Sequence, residues 1–395
     1  MKEVHIVSAQ RTPIGKFLGE LSAVPAPKLG ARAIEAAVDK AGVEKDAVQH
    51  VYFGNVLQAG IGQAPARQAS IYAGLPERCG AVTVNKVCGS GMRALMDGAN
   101  ALRVGEWELV VVGGMESMSN APYVLAKHRS GQRMGHGQLV DAMIADGLWD
   151  PYGDKHMGAC AELCAKKYNF TREAQDDFAR ESYARAQTAM NEGKFDAELV
   201  SVSIPQRKGD PVVVDKDEEP FGAPLDKMGK LSPAFDRSSG TITAANASKL
   251  NDGAAALVIA SEDKTKQLGI TPLARIVSQG SYAHEPEWFT TAPAGAMKRA
   301  IDRSGLSSKD ITRWEVNEAF ANVTMAATRE LELDPAQVNV RGGAVALGHP
   351  IGASGARIVI TLLHAMIADG ERYGCAGICI GGGEATAVVI ENLTL

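Results

Sequence analysis

The sequence predicts an α/β protein in which helices cover a parallel sheet and in which two halves of the chain are equivalent. Short apolar runs alternate with amphipathic stretches that end in glycine, which is the pattern of such folds. Runs such as residues 109–112 contain no polar positions, as expected of parallel strands buried on both faces. The order of these elements then recurs near the end of the 395-residue chain.

The first half supplies five elements in order. Residues 4–8 are predicted as a strand, and residues 29–41 as a helix with one apolar face that Gly42 ends. A second strand follows at 51–53, a helix at 91–104 and a third strand at 109–112, which runs into Gly113 and Gly114.

The second half repeats this order. A strand ends at Asn317 as one ends at Asn55, a helix spans 355–366, and a strand at 376–380 enters three glycines. Asn55 precedes Cys88 by 33 residues, and Asn317 precedes His349 by 32. We therefore assign residues 1–119 and 249–271 to an N-terminal half and 272–395 to a C-terminal half. The polar segment 120–248, with one long helix at 172–191, is predicted to be an inserted loop domain.

Composition and charge exclude several classes of protein. Hydrophobic residues make up 45% and charged residues 22%, values typical of a globular protein rather than a disordered one. A net charge of −5 gives no basic surface for nucleic acid or an anionic membrane. The first residues lack a signal peptide, which favours a cytoplasmic location and free thiols for the six cysteines. Their spacing predicts no metal site.

Cys88 is the first candidate catalytic residue. It lies in NKVCGSGM, where an extended segment gives way to a predicted helix, and glycines flank it. Unpaired N–H groups and the positive end of the helix dipole favour a thiolate at such a position. The alternative is a buried cysteine that packs as a small hydrophobic residue.

His349 is the second candidate and lies in GGAVALGHPIGASGAR, a glycine-rich loop that also leads into a helix. It occupies the turn of the second half that corresponds to the Cys88 turn of the first. Histidine is the side chain best suited to take a thiol proton near neutral pH. The two turns are therefore expected to converge as nucleophile and base, although a structural histidine is the simpler alternative.

Two further segments complete the constellation. In CIGGGEATA, Cys379 ends a strand before a glycine turn whose free N–H groups could stabilise an oxyanion. Its thiol could exchange a proton with a reacting centre. In NEAFA, Asn317 ends a strand and could bind a water or a carbonyl. The remaining cysteines are predicted to pack in the core.

These four segments resemble the thiolase family in order and spacing over essentially the whole chain. HMG at 156–158 and TAANASKLNDGA at 243–254 extend the resemblance to the biosynthetic type that acts on acetoacetyl-CoA. The resemblance implies a thiolase-like fold, in which two βαβαβαββ halves form a layered αβαβα core. It also implies that coenzyme A is bound by Leu148, His156, Met157, Phe235, Ala247 and Ser248.

The resemblance further implies a mechanism of reversible Claisen condensation, in which two acetyl-CoA molecules give acetoacetyl-CoA and CoA with ping-pong kinetics. Cys88 is acylated, His349 takes its proton, and Cys379 exchanges the α-proton of the second acetyl-CoA. One oxyanion is bound by His349 and a water on Asn317, and the other by the N–H groups of Cys88 and Gly381. CoA thioesters are the substrates, no cofactor is tightly bound, and the assembly is a homotetramer formed as a dimer of dimers.

The sequence departs from the family pattern near the nucleotide and near Cys379. Phe221 occupies the position of an arginine that commonly contacts the CoA nucleotide. Glu384 and Ala385 replace a neutral residue and a glycine after the glycine turn. A carboxylate so close in sequence is expected to raise the pKa of Cys379.

A third departure leaves the acyl preference open. Phe289 and Thr290 lie where the family often has a methionine and a glycine beside the acyl pocket, and Trp288 precedes them. A thiolase for longer or branched 3-ketoacyl-CoA is therefore an alternative to one for acetoacetyl-CoA. A protein that keeps the fold and binds acyl-CoA without turnover is a more distant alternative, because the catalytic positions are all filled.

Overall fold

The structure, a computed structural model, describes residues 2–223 and 225–395. The strands of the described residues are β1 Val4–Arg11, β2 Gly15–Lys16, β3 His50–Gly54, β4 Gly80–Val84, β5 Leu109–Ser117, β6 Tyr123–Val124, β7 Val140–Asp141, β8 Trp149–Asp150, β9 Lys155–His156, β10 Val202–Ile204, β11 Val212–Val214, β12 Asn251–Ser261, β13 Ala274–Ala283, β14 Arg313–Val316, β15 Tyr373–Ile380 and β16 Glu384–Asn392. The helices are α1 Ala26–Ala41, α2 Pro65–Tyr72, α3 Ser90–Val104, α4 Met157–Tyr168, α5 Arg172–Asn191, α6 Glu262–Leu268, α7 Ala292–Ser304, α8 Ala321–Glu330, α9 Ala344–Leu347 and α10 Ile351–Asp369.

The long strands form two equivalent sets that share one hydrogen-bonded sheet. In the first half the strand order is β4-β3-β5-β12-β1, and in the second it is β14-β15-β16-β13. The sets join where β1 pairs with β13. A single parallel bridge between Trp314 and Val338 stands where the first half has β4, so the repeat holds except for this strand.

Helices form three layers around these strands. Helices α1 and α2 cover the outer face of the first half, and α7 packs against the strands of the second. Helices α3 and α10 lie side by side between the halves, and the apolar cluster around them draws side chains from both sets of strands. The predicted layered αβαβα arrangement is confirmed.

The prediction of a parallel sheet holds only for some of the strands, because the sheet is mixed. Only β3 with β4 and β5, and β14 with β15, run parallel, whereas β12 and β16 pair antiparallel with both of their neighbours. Strands of either direction lose their polar alternation when helices cover both faces. The absence of polar positions therefore indicates that both faces of a strand are buried, but it does not indicate the direction of the strand.

Strand β5 also continues past the glycine pair at which it was predicted to end. A Cβ atom at Gly113 would lie 2.0 Å from the carbonyl oxygen of Ala255 on β12. The glycine therefore permits close approach of two strands and does not begin a turn. Helix α10 likewise begins four residues earlier than predicted, at Ile351.

Residues 120–248 contain α4, α5 and three two-stranded sheets, formed by β6 with β7, β8 with β9, and β10 with β11. Helix α5 spans the residues predicted for it. By length and composition, α10 is the one helix among the described residues that could cross a membrane. In the fold, 83% of the window that meets this test is buried inside the protein.

Candidate active site

A cavity of about 330 Å³ opens where α3 and α10 begin and β15 ends. It lies between these elements and residues 143–157 and 234–250. Three of the predicted catalytic residues line it, and so do all six predicted coenzyme A contacts. These lining residues are Cys88, His349, Gly381, Leu148, His156, Met157, Phe235, Ala247 and Ser248.

A strained turn presents Cys88 to the cavity. The preceding residue, Val87, has φ of 45°, which is a rare conformation for a β-branched side chain. The Ser90 hydroxyl holds the turn, because it accepts from the N–H of Lys86 at 2.8 Å and donates to the Val87 carbonyl at 2.6 Å. The structure therefore maintains a costly backbone conformation immediately before the thiol.

The expectation of a Cys88 thiolate is wrong for the free protein. Burial raises the pKa of the Cys88 thiol to about 11, and the Glu116 carboxylate adds to this effect. Hydrogen bonds from the backbone N–H groups of Gly381 and Cys88 act in the opposite direction but are weaker. Desolvation outweighs the helix terminus, so the thiol is protonated at neutral pH.

His349 is held both at its backbone and at its ring. Its backbone N–H donates to Asn251 Oδ1 at 2.8 Å, and its Nδ1 lies 2.6 Å from Ser354 Oγ. Ser354 donates its only hydroxyl hydrogen to the Pro350 carbonyl at 3.0 Å, so it accepts from Nδ1–H. Burial, helped by the charge of Arg357, lowers the pKa of His349 to about 3. The imidazole is neutral, with a lone pair on Nε2.

Asn317 lies behind His349 at the end of β14. Its Nδ2 is 3.5 Å from His349 Nε2, and its backbone N–H bonds the Gly377 carbonyl at 3.0 Å. The side-chain Oδ1 is buried and has no partner among the described residues. It can therefore accept a hydrogen bond from a water, as the family resemblance implies.

Cys379 is buried against the cavity wall, in an apolar cluster with Met157, Phe289 and Phe320. Burial raises the pKa of its thiol well above the usual value, and the nearby Cys88 adds to this. The expected effect of Glu384 on Cys379 is wrong. The Glu384 carboxylate turns away to pair with Lys86, because alternate residues of a strand face opposite sides.

The six predicted coenzyme A contacts all line this cavity. The ring of His156 stacks on Phe235, with centroids 4.7 Å apart, while its Nδ1 accepts from the N–H of Gly158 and so caps α4. Ala247 and Ser248 belong to a loop held against the NEAFA segment, since the Ser248 N–H donates to the Ala319 carbonyl at 3.0 Å.

Phe289, Trp288 and Phe221, which depart from the family pattern, lie in different environments. Phe289 is 3% exposed, lines the cavity and meets Phe320 edge to face. Trp288 does not line the cavity, because its ring packs under the ammonium of Lys167, so it gives no support for a longer acyl chain. Phe221 is 57% exposed and likewise is not part of the cavity wall.

Sequence reasoning missed two ionisable residues beside the cavity. The buried Glu116 accepts from Asn55 Nδ2 at 2.8 Å and from the N–H of Gly352 at 3.0 Å, so it ties the end of β3 to the first turn of α10. Lys249 lines the cavity itself. Because Glu116 lies in an otherwise mostly apolar strand, the sequence contained a signal that it has a special role. The sequence contained no such signal for Lys249.

Comparisons with known proteins agree with this geometry. The family models described as thiolase, N-terminal domain, and thiolase, C-terminal domain, match residues 4–263 and 270–392. An acetyl-CoA acetyltransferase of Cupriavidus necator is 53% identical over 393 residues, covering 99% of this chain and 100% of the relative. The mitochondrial acetyl-CoA acetyltransferase of Homo sapiens is 51% identical, covering 100% and 91%. The crystal structure of the Acat5 thiolase from Ascaris suum in complex with coenzyme A superposes with a TM-score of 0.95 at 47% identity, covering 99% and 100%.

Proposed function

The chain belongs to the thiolase family, and from that premise we propose that it is an acyltransferase with acetyl-CoA acetyltransferase activity. It interconverts two acetyl-CoA molecules with acetoacetyl-CoA and CoA through an acetyl group on Cys88. The observation that carries this proposal is the convergence of Cys88, His349 and Gly381 on one cavity whose wall holds the six expected coenzyme A contacts.

In the cleavage direction, Cys88 attacks the ketone carbonyl of acetoacetyl-CoA. Because the thiol is protonated in the free protein, a base must take its proton, and the lone pair on His349 Nε2 is available for this. The new oxyanion accepts from the N–H groups of Cys88 and Gly381, which already face the sulfur. One such donor typically contributes about 3–4 kcal/mol to the transition state.

Cys379 is suited to the step in which the carbon–carbon bond breaks. That step leaves an acetyl group on Cys88 and releases acetyl-CoA as its enolate, which needs a proton on carbon. A buried thiol with a strongly raised pKa stays protonated until the enolate forms and then supplies that proton. The Cys379 thiolate takes a proton from the incoming CoA thiol, whose sulfur then attacks acetyl-Cys88 and releases the second acetyl-CoA. Cys88 leaves as a thiolate and regains its proton from His349, which restores both groups.

The direct test is CoA-dependent cleavage of acetoacetyl-CoA, followed by loss of its absorbance. We expect Cys88→Ala to abolish cleavage without unfolding the protein, because it removes the sulfur that carries the acetyl group. Cys164→Ala is the matched control, since Cys164 is a buried thiol of α4 outside the cavity wall. Mass spectrometry of the wild type with acetyl-CoA should find one acetyl group on the peptide that contains Cys88. Full activity of Cys88→Ala would overturn the assignment.

The acyl preference is part of the proposal. Phe289 fills the side of the cavity next to Phe320, which favours a short acyl group over the longer or branched chains of the alternative. We expect kcat/KM to be highest for the four-carbon substrate and to fall as the 3-ketoacyl chain lengthens. An optimum at six or more carbons would favour the alternative.

A homotetrameric assembly and a cytoplasmic location remain predictions, as do the boundaries at 119, 248 and 271. Exposed apolar side chains in the inserted segment 120–248 support the assembly, among them Tyr123 at 64% and Met134 at 98% exposure. Size-exclusion chromatography with light scattering tests the assembly. A monomer at micromolar concentration would contradict it.

A further inference from the structure

Lys249 is a partly buried cation on the wall of the cavity. It follows Ser248 directly, and the structure places its side chain between the loop at 241–250 and helix α9. Burial lowers the pKa of the Lys249 ammonium to about 8. A lysine in such a position retains its charge only if the groups around it replace the water that it has lost.

The ammonium donates to two carbonyl oxygens that belong to different parts of the site. One is the Ala247 carbonyl at 2.9 Å, in the coenzyme A wall, and the other is the Val345 carbonyl at 3.2 Å, in α9. Helix α9 ends at Leu347 and leads through Gly348 into His349. The ammonium therefore links the binding wall to the segment that carries the predicted base.

The surrounding charges and rings complete the environment of this group. The carboxylates of Glu219 and Glu318 act on the ammonium in favour of its charged form. The ring of Tyr183, on α5, lies 5.6 Å from Nζ. Glu318 in turn accepts from the N–H of Val345 at 3.1 Å. The backbone N–H and carbonyl of Val345 are therefore bonded to Glu318 and Lys249, respectively.

We propose that Lys249 is a positioning residue for the thiolase reaction, whose ammonium fixes the Ala247–Ser248 wall relative to the α9 segment that ends beside His349. The inference rests on the proposed function, because it assigns a role to the wall that binds coenzyme A. His349 is also held by Asn251 and Ser354. Loss of the ammonium therefore affects the wall more than the base, and substrate binding more than the chemical step.

The test uses Lys249→Met, which keeps the length of the apolar stem but has no donor. We expect KM for acetyl-CoA to rise about tenfold or more, the range for loss of a hydrogen bond from a charged donor, with a smaller change in kcat. Lys266→Met is the matched control, because Lys266 is an exposed lysine of α6 whose ion pair is with Glu262. Unchanged KM in Lys249→Met would overturn the proposal.

A pH titration separates the charge from packing. Acetyl-CoA affinity is measured by calorimetry in the Cys88→Ala background, where no turnover occurs. With Lys249 intact we expect affinity to fall as the pH rises through about 8, where the ammonium loses its proton. In Lys249→Met the affinity should be low and should not change over this range. Affinity that is independent of pH with Lys249 intact would overturn the proposal, even if the double variant does not fold.

Chemical rescue gives a third readout. Methylammonium has a primary ammonium that can enter the space left in Lys249→Ala and donate to the two carbonyls, so it should restore part of the acetyl-CoA affinity. Tetramethylammonium at equal ionic strength has no N–H and should not. Equal effects of the two cations would overturn the role of donation. Absence of acetoacetyl-CoA cleavage by the wild type would instead count against the proposed function, because the binding measurements do not depend on turnover.

Discussion

Cys88 should react slowly with alkylating agents at neutral pH, and its reactivity should rise steeply with increasing pH. Burial raises the pKa of this thiol from 9.0 to about 11. Alkylation requires the thiolate. At pH 7 about one Cys88 side chain in ten thousand is ionised, against about one in a hundred for a thiol of pKa 9, so we expect a rate about a hundredfold lower.

The assay is iodoacetamide labelling of the protein without substrate, with the peptide that contains Cys88 quantified by mass spectrometry. The labelling rate should rise about tenfold per pH unit up to about pH 10, because the thiolate fraction does so below the pKa. His349→Ala should show the same slope, since a neutral imidazole does not hold the thiol proton in the free protein. A rate that reaches a plateau below about pH 8 would reveal a preformed thiolate–imidazolium pair and would refute this reasoning.

Three substitutions test the packing and charge around the site. Phe289→Ala removes a buried ring, so the free energy of unfolding in urea should fall by about 3–5 kcal/mol. The ratio of kcat/KM for a six-carbon substrate to kcat/KM for the four-carbon one should rise. An unchanged ratio would show that Phe289 does not limit chain length. Burial raises the pKa of Glu315 to about 8, and Arg357, 3.8 Å away, favours its ionised form; Arg357→Met should therefore lower the free energy of unfolding more at pH 9 than at pH 7, and adding Glu315→Gln should remove this pH dependence. Lys86→Met should change the free energy of unfolding by less than about 1 kcal/mol, because its ion pair with Glu384 is partly exposed; a larger loss would mean that this pair holds the two loops together.

The sequence was informative about the fold where local chemistry decides the structure. Gly42 and Gly105 end α1 and α3 in the left-handed conformation, and α5 has the predicted bounds. Strand direction was not accessible, because a strand buried on both faces is apolar in either direction. The end of β5 was also misplaced, since the close approach of Ala255 to Gly113 depends on a strand more than a hundred residues away.

The candidate site, like the fold, could be predicted from the sequence only in part. The repeat correctly indicated that the Cys88 and His349 turns meet, because equivalent turns of two equivalent halves were being compared. Protonation states were not accessible, because they depend on burial that the sequence does not contain. The helix terminus pointed to a thiolate at Cys88, whereas desolvation in the folded protein has the larger effect. Lys249 was missed because the Val345 carbonyl that it binds is 96 residues away.

The packing of α3 against α10 brings the two halves together next to the reactive groups. A Cβ atom at Gly91 would lie 2.8 Å from the backbone nitrogen of Ala356, so the two helices touch near the ends that carry Cys88 and His349. Neither half contains all of the reactive groups, because Cys88 lies in the first half and His349 and Cys379 lie in the second. A small separation of the two halves should therefore abolish the reaction while the secondary structure of each half is still intact.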